Sequence, residues 1–67
     1  MESPTPDVIK HFRKEAGLSQ REAGELIHTK PRQFEPWEQG INKMPPGLWE
    51  LFLLKIGQHQ LYELKKK

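Results

Sequence analysis

The sequence predicts an all-α fold of four or five short helices in one small domain, and three observations point to it. Its 67 residues suffice for one domain and not for two. Apolar residues recur three and four apart along most of the chain, the spacing of helices that bury one face. Helix-start signals at Thr5-Pro6, Ser19 to Glu22, Pro31 and Pro45-Pro46 alternate with helix-ending glycines at Gly17, Gly40 and Gly57.

Residues 1–4 have no periodicity and are expected to be disordered. Thr5 then offers a capping hydroxyl, Pro6 suits the first helical position, and Asp7 faces the positive helix end. Val8, Ile9, Phe12 and Ala16 form the buried stripe of this first helix, which Gly17 closes. Ser19-Gln20-Arg21-Glu22 reads as a capping box, in which hydroxyl and carboxylate each accept the other residue's N–H, so a second helix starts almost at once. It buries Ala23, Leu26 and Ile27. Gly24, costing roughly 0.5–1 kcal/mol against alanine in mid-helix, marks either a close approach by another helix or an indifferent surface position.

His28-Thr29-Lys30 is a polar link, and Pro31 opens a short third helix with Phe34 and Trp37 as core anchors. Pro36 is a difficulty, because proline inside a helix loses one backbone bond and clashes with the preceding turn, at about 3 kcal/mol. A kink or a shift toward looser geometry is expected there. Ile41 to Pro46 forms a loop, and the fourth helix runs from Gly47 to Ile56. Leu48, Leu51, Phe52 and Ile56 make its core stripe, leaving a second stripe of Trp49, Leu53 and Leu54 that something must cover. Either Leu61, Tyr62 and Leu64 fold back as a fifth helix, or a second copy covers it about a two-fold axis. Trp49, Leu53, Leu54 and Leu61 are therefore the candidate dimer contacts.

Composition removes several classes of function. Without cysteine there is no disulfide framework and no thiolate zinc site. The run Leu51 to Leu54 is far short of the roughly 20 apolar residues a membrane span needs, and no basic stretch leads into an apolar one at the amino end. A cytoplasmic protein with no membrane partner is expected. His11, His28 and His59 have no short metal-ligand spacing, and no phosphate-binding glycine loop is present. Ser3 and Ser19 lack an adjacent base with an orienting acid. The chain is expected to be no enzyme, with no cofactor, metal or small-molecule substrate. Its net charge is +2, of which Lys65, Lys66 and Lys67 supply +3, so the remainder sums to −1. The informative excess is local: Lys10, Arg13, Lys14 and Arg21 against Glu15 alone between positions 10 and 21.

Leu18 to Gly40, LSQREAGELIHTKPRQFEPWEQG, places two short helices with apolar anchors on either side of a tight polar link, the pattern of a helix-turn-helix. LSQ, a small residue four positions after Gln20, the apolar Ile27 and the closing WEQG resemble the DNA-binding core of the Cro/CI repressor-like family, also called the XRE family. IKHFRKEAG is similar to that family's first helix, so the resemblance runs from Ile9 to Gly40. It implies a lambda-repressor-like fold, and the domain is expected to occupy residues 5–64, followed by a basic end at 65–67. The continuation MPPGLWELFLLKIG resembles small phage and mobile-element members, including autoregulators of the anti-CRISPR-associated kind.

The resemblance implies that Gln20 binds a phosphate at the start of the second helix and that the third helix enters the major groove, presenting Lys30, Arg32 and Gln33. Side-chain chemistry agrees, since arginine can donate two hydrogen bonds to guanine and glutamine can pair with adenine, each for roughly 1–3 kcal/mol of discrimination. Glu35 either accepts from cytosine N4 and rejects wrong registers, or is a solvated carboxylate. Family members often carry a contacting polar side chain where this chain has Pro36. Asn42 and Lys43 fall where the family touches the sugar-phosphate backbone, and Arg21 suits the same task. The resemblance also implies an ion pair between Arg13 and Glu38.

The expected function is thus a dimeric transcriptional repressor or autorepressor, bound to double-stranded DNA at an inverted-repeat operator. The alternatives are an antitoxin-like or adaptor module that grips a protein through its fourth helix, favoured by the modest charge and by Pro36, and an RNA-binding regulator that uses the same basic face.

Overall fold

A computed structural model describes residues 2–57, and among these the chain is all-helical, with no strand. Its elements are α1 (Pro6–Glu15), α2 (Gln20–Leu26), a 3-10 turn (Pro31–Gln33), α3 (Phe34–Gln39) and α4 (Pro46–Lys55). The first turn of a helix leaves N–H groups without intrahelical partners, and local side chains meet that need twice. Thr5 Oγ1 accepts from Val8 N at 3.4 Å, and Ser19 Oγ accepts from Glu22 N at 3.0 Å while the Glu22 carboxylate accepts from Ser19 N at 2.9 Å. The capping box is complete.

Among the described residues four helices are followed by a left-handed residue, Gly57 after α4 being one, and α1, α2 and α3 share a paired closure. After α1, Gly17 N donates to Lys14 O and Leu18 N to Arg13 O; after α3, Gly40 N donates to Trp37 O and Ile41 N to Pro36 O. After α2, His28 N donates to Glu25 O and Thr29 N to Gly24 O, the same paired closure. Here the residue at φ 61° is histidine rather than glycine. Thr29 Oγ1 donates to the same Gly24 carbonyl at 3.2 Å and holds the turn.

The third helix is not one continuous α-helix. The segment divides instead into a 3-10 turn, in which Gln33 N donates to Lys30 O at 3.0 Å, and an α-helical part that begins at Phe34. Pro36 falls in the first turn of α3, where a missing N–H costs little. The geometry next to it is therefore tighter than α-helical, the reverse of the loosening expected from sequence.

The core joins Ile9 and Phe12 of α1, Ala23 and Ile27 of α2, Phe34 and Trp37 of α3, and Met44 from the following loop to Trp49, Phe52 and Leu53 of α4. Phe34 and Phe52 lie 5.5 Å apart between ring centroids, and Trp49 stacks on Phe52 at 5.7 Å while receiving Phe12 edge-on at 5.8 Å. This corrects the orientation expected for the fourth helix. Trp49 and Leu53 are completely buried in the chain's own core, whereas Leu48, Leu51 and Ile56 flank it. Trp49 and Leu53 therefore have no surface to offer a second copy. Leu54 is 57% exposed and stays available, and Leu61, with the rest of the proposed fifth helix, lies outside the described residues. The leading segment also differs from expectation, because Pro4 is buried. Among the described residues no helix is long and apolar enough to cross a membrane.

Candidate nucleic-acid interface

One buried ionic node fixes the relation of α1, α2 and α3. The Arg13 guanidinium and the Glu38 carboxylate form a two-pronged pair, Nε to Oε2 and Nη2 to Oε1 at 3.0 Å, and the two side chains are only 11% and 2% exposed. Arg13 Nη1 donates to Leu18 O at 2.8 Å, and Gln20 Nε2 donates to Glu38 Oε1 at 3.1 Å. One carboxylate thus ties together the end of α1, the start of α2 and the body of α3. Burial pushes the Glu38 carboxyl up, but hydrogen bonds from Arg13 and Gln20, together with the charges of Arg13 and Lys10, outweigh it and hold the group below its ordinary range.

This node gives Gln20 an internal partner beside the phosphate role read for it. Its side-chain NH2 donates one N–H to Glu38, which anchors the amino end of α2, and keeps a second N–H. Its carbonyl oxygen cannot donate to a phosphate. The end of α2 can still present the second carboxamide N–H of Gln20 and backbone N–H. Arg21 sits beside it, 77% exposed and 3.6 Å from Glu25, a loose surface pair that leaves the guanidinium free to reorient.

The 3-10 turn and α3 carry an open depression of about 560 Å³ lined by Lys30, Arg32, Gln33, Pro36 and Asn42. Three of the four expected base-reading side chains and one expected backbone-contacting side chain thus meet at one surface. Lys30, Arg32, Gln33 and Asn42 are exposed, and Lys30 and Arg32 make no ion pair among the described residues. Among the described residues no acid lines the depression. Two cationic groups and two carboxamides facing solvent without internal partners can bind anionic, hydrogen-bonding surfaces at little desolvation cost.

Glu35, the fourth base-reading candidate, is exposed but stands outside that lining and accepts a hydrogen bond from Gln39 Nε2 at 3.2 Å. Asn42 also lines a second concavity, of about 320 Å³, with Lys43, Trp37, Gly40 and the leading residues Ser3 to Pro6. Lys43 is exposed there. The sequence marked Pro36 as an obstacle to the helix and, by resemblance, as standing where family members carry a contacting polar side chain; the structure places it in the wall of this depression. The available signal was spacing, since Pro36 lies three and four residues beyond Gln33 and Arg32 and so shares their helix face. Among the described residues, no group of three or more histidine, aspartate or glutamate side chains gathers as a metal site.

No protein-family model matches the chain. Over 51 residues, 76% of its length, it is 28% identical to the Type II methyltransferase M.MspI of Moraxella sp. The match spans 12% of that protein.

Proposed function

We propose that this chain is a helix-turn-helix DNA-binding regulator of the Cro/CI-like kind, a dimeric repressor or autorepressor that occupies an inverted-repeat operator. α2 crosses the phosphate backbone, and the 3-10 turn with α3 enters the major groove. The observation that carries the reading is the depression in which Lys30, Arg32, Gln33 and Asn42 stand together, exposed, with no carboxylate among them. Arg32 donates two hydrogen bonds to guanine O6 and N7, Gln33 pairs with adenine, and Lys30 adds charge at the groove edge. Asn42 and Lys43, with Arg21 across the face, hold the phosphates and fix the register.

A single short helix offers few base contacts, so two copies on half-sites about 10–10.5 base pairs apart supply the needed specificity. Exposed Leu54 is the side chain of the fourth helix best placed to contribute to their interface. The likeness to M.MspI supports a module of this size, because it falls on a small part of that protein. Methyl transfer is not proposed for this chain. Exposed Ile41 and Leu54 favour the second reading, a protein-interaction module, since each places a large apolar side chain in solvent.

Selection from a random duplex pool separates the two. A regulator enriches a two-fold symmetric sequence, and Arg32→Ala/Gln33→Ala abolishes the enrichment while the fold is kept. An interaction module enriches nothing.

A further inference from the structure

We infer that Pro36 makes the reading surface selective for a C5-methylated pyrimidine, thymine or 5-methylcytosine, next to the purine held by Arg32. The inference rests on the DNA-binding reading above and names what that site prefers. Pro36 is the one ring of saturated carbon among the side chains lining the depression, and it is partly exposed there beside Arg32, Gln33, Lys30 and Asn42. It carries no donor and no acceptor on its side chain, and its nitrogen has no hydrogen. A base edge that offers only hydrogen-bonding groups at this point would lose water without gaining a partner.

The major-groove edge of a pyrimidine offers one apolar group, the C5 methyl, and proteins meet it with apolar side chains. Arg32 lies four residues earlier and Gln33 three residues earlier on the same face, so a guanidinium or carboxamide on a purine leaves the proline ring over a neighbouring base. The 3-10 turn before α3 holds this arrangement, since its backbone closes at Gln33 N to Lys30 O. Proline also has almost no rotamer freedom to lose on contact.

The test uses the full chain and the duplex most enriched from a random pool, resynthesised with deoxyuridine for thymidine one position at a time. A parallel set replaces each cytosine by 5-methylcytosine. Removing a methyl that packs on Pro36 should weaken binding roughly fourfold per half-site, the worth of one buried carbon. Pro36→Ser should bind the parent duplex with the same symmetry and lose that sensitivity. A loss with deoxyuridine assigns the methyl to thymine, and a gain with methylated cytosine assigns it to 5-methylcytosine; either supports the inference provided Pro36→Ser removes it. Specific binding indifferent to every methyl, or a methyl effect unchanged in Pro36→Ser, overturns the inference and leaves the DNA-binding reading standing. A pool with no enriched sequence overturns both.

Discussion

Replacing Glu38 by glutamine keeps the shape of the side chain and removes its charge, leaving the Arg13 guanidinium 11% exposed with no anion beside it. Two charge-assisted hydrogen bonds from Arg13 and one bond from Gln20 converge on this carboxylate. Breaking one partner of a buried pair costs about 3–5 kcal/mol, and the slight exposure of Arg13 places the expected loss near the lower figure, about 3 kcal/mol. A 67-residue domain has roughly 3–10 kcal/mol of stability in total, so Glu38→Gln should be marginally folded at 25 °C. Urea titration followed by far-ultraviolet circular dichroism measures this, with an unchanged slope showing that the same surface is exposed on unfolding. The double variant Arg13→Met/Glu38→Leu, which replaces the pair by apolar side chains, should recover most of the loss. A Glu38→Gln cost below about 1 kcal/mol would match a solvated surface pair and refute the node as the tie between α1, α2 and α3.

The same carboxylate sets an acid limit. Because Glu38 is held below its ordinary value of 4.5 when folded, the unfolded chain binds more protons in that interval. Its contribution is full above pH 4.5 and falls away as the pH drops through the folded value, so thermal melts should decline with acid in the parent and less steeply in Glu38→Gln. His28→Gly relieves a left-handed residue and should raise stability by about 0.5–1 kcal/mol, read as a higher melting temperature; an unchanged or lower one would contradict the turn geometry. For the proposed dimer, Leu54→Asp should leave the fold intact and shift sedimentation toward monomer, while Leu53→Asp, placing a charge in the core, should unfold the chain. A Leu54→Asp chain that stays dimeric would move the interface elsewhere.

Local signals were legible where a single residue type meets a single backbone need. Thr5, Pro6, Ser19, Glu22, Gly17 and Gly40 set the limits of α1, the start of α2 and the end of α3. The pairing of Arg13 with Glu38, implied by family resemblance, is present in the structure, but the capture of Gln20 by the same carboxylate was not legible. That bond depends on how three helices meet, and no local spacing encodes it. The orientation of α4 was misjudged for a different reason. The helix is apolar on nearly every side, so periodicity names no buried face, and the packing of Phe12 and Phe52 against Trp49 and of Phe34 against Phe52 decides it. Met44 escaped notice because a loop residue has no periodicity, yet it is completely buried. His28 gave no sign of its left-handed backbone, since the expected residue there is glycine.

For the proposed reading surface, base discrimination by Arg32 is the central claim. It is measured by fluorescence anisotropy, titrating the parent chain and Arg32→Ala into the most enriched duplex and into a scrambled one at several salt concentrations. The expected result is that Arg32→Ala loses about 1–3 kcal/mol of preference for the enriched duplex, while both chains keep a steep fall of log affinity with log salt. An equal preference in the two chains would contradict the reading surface assigned here.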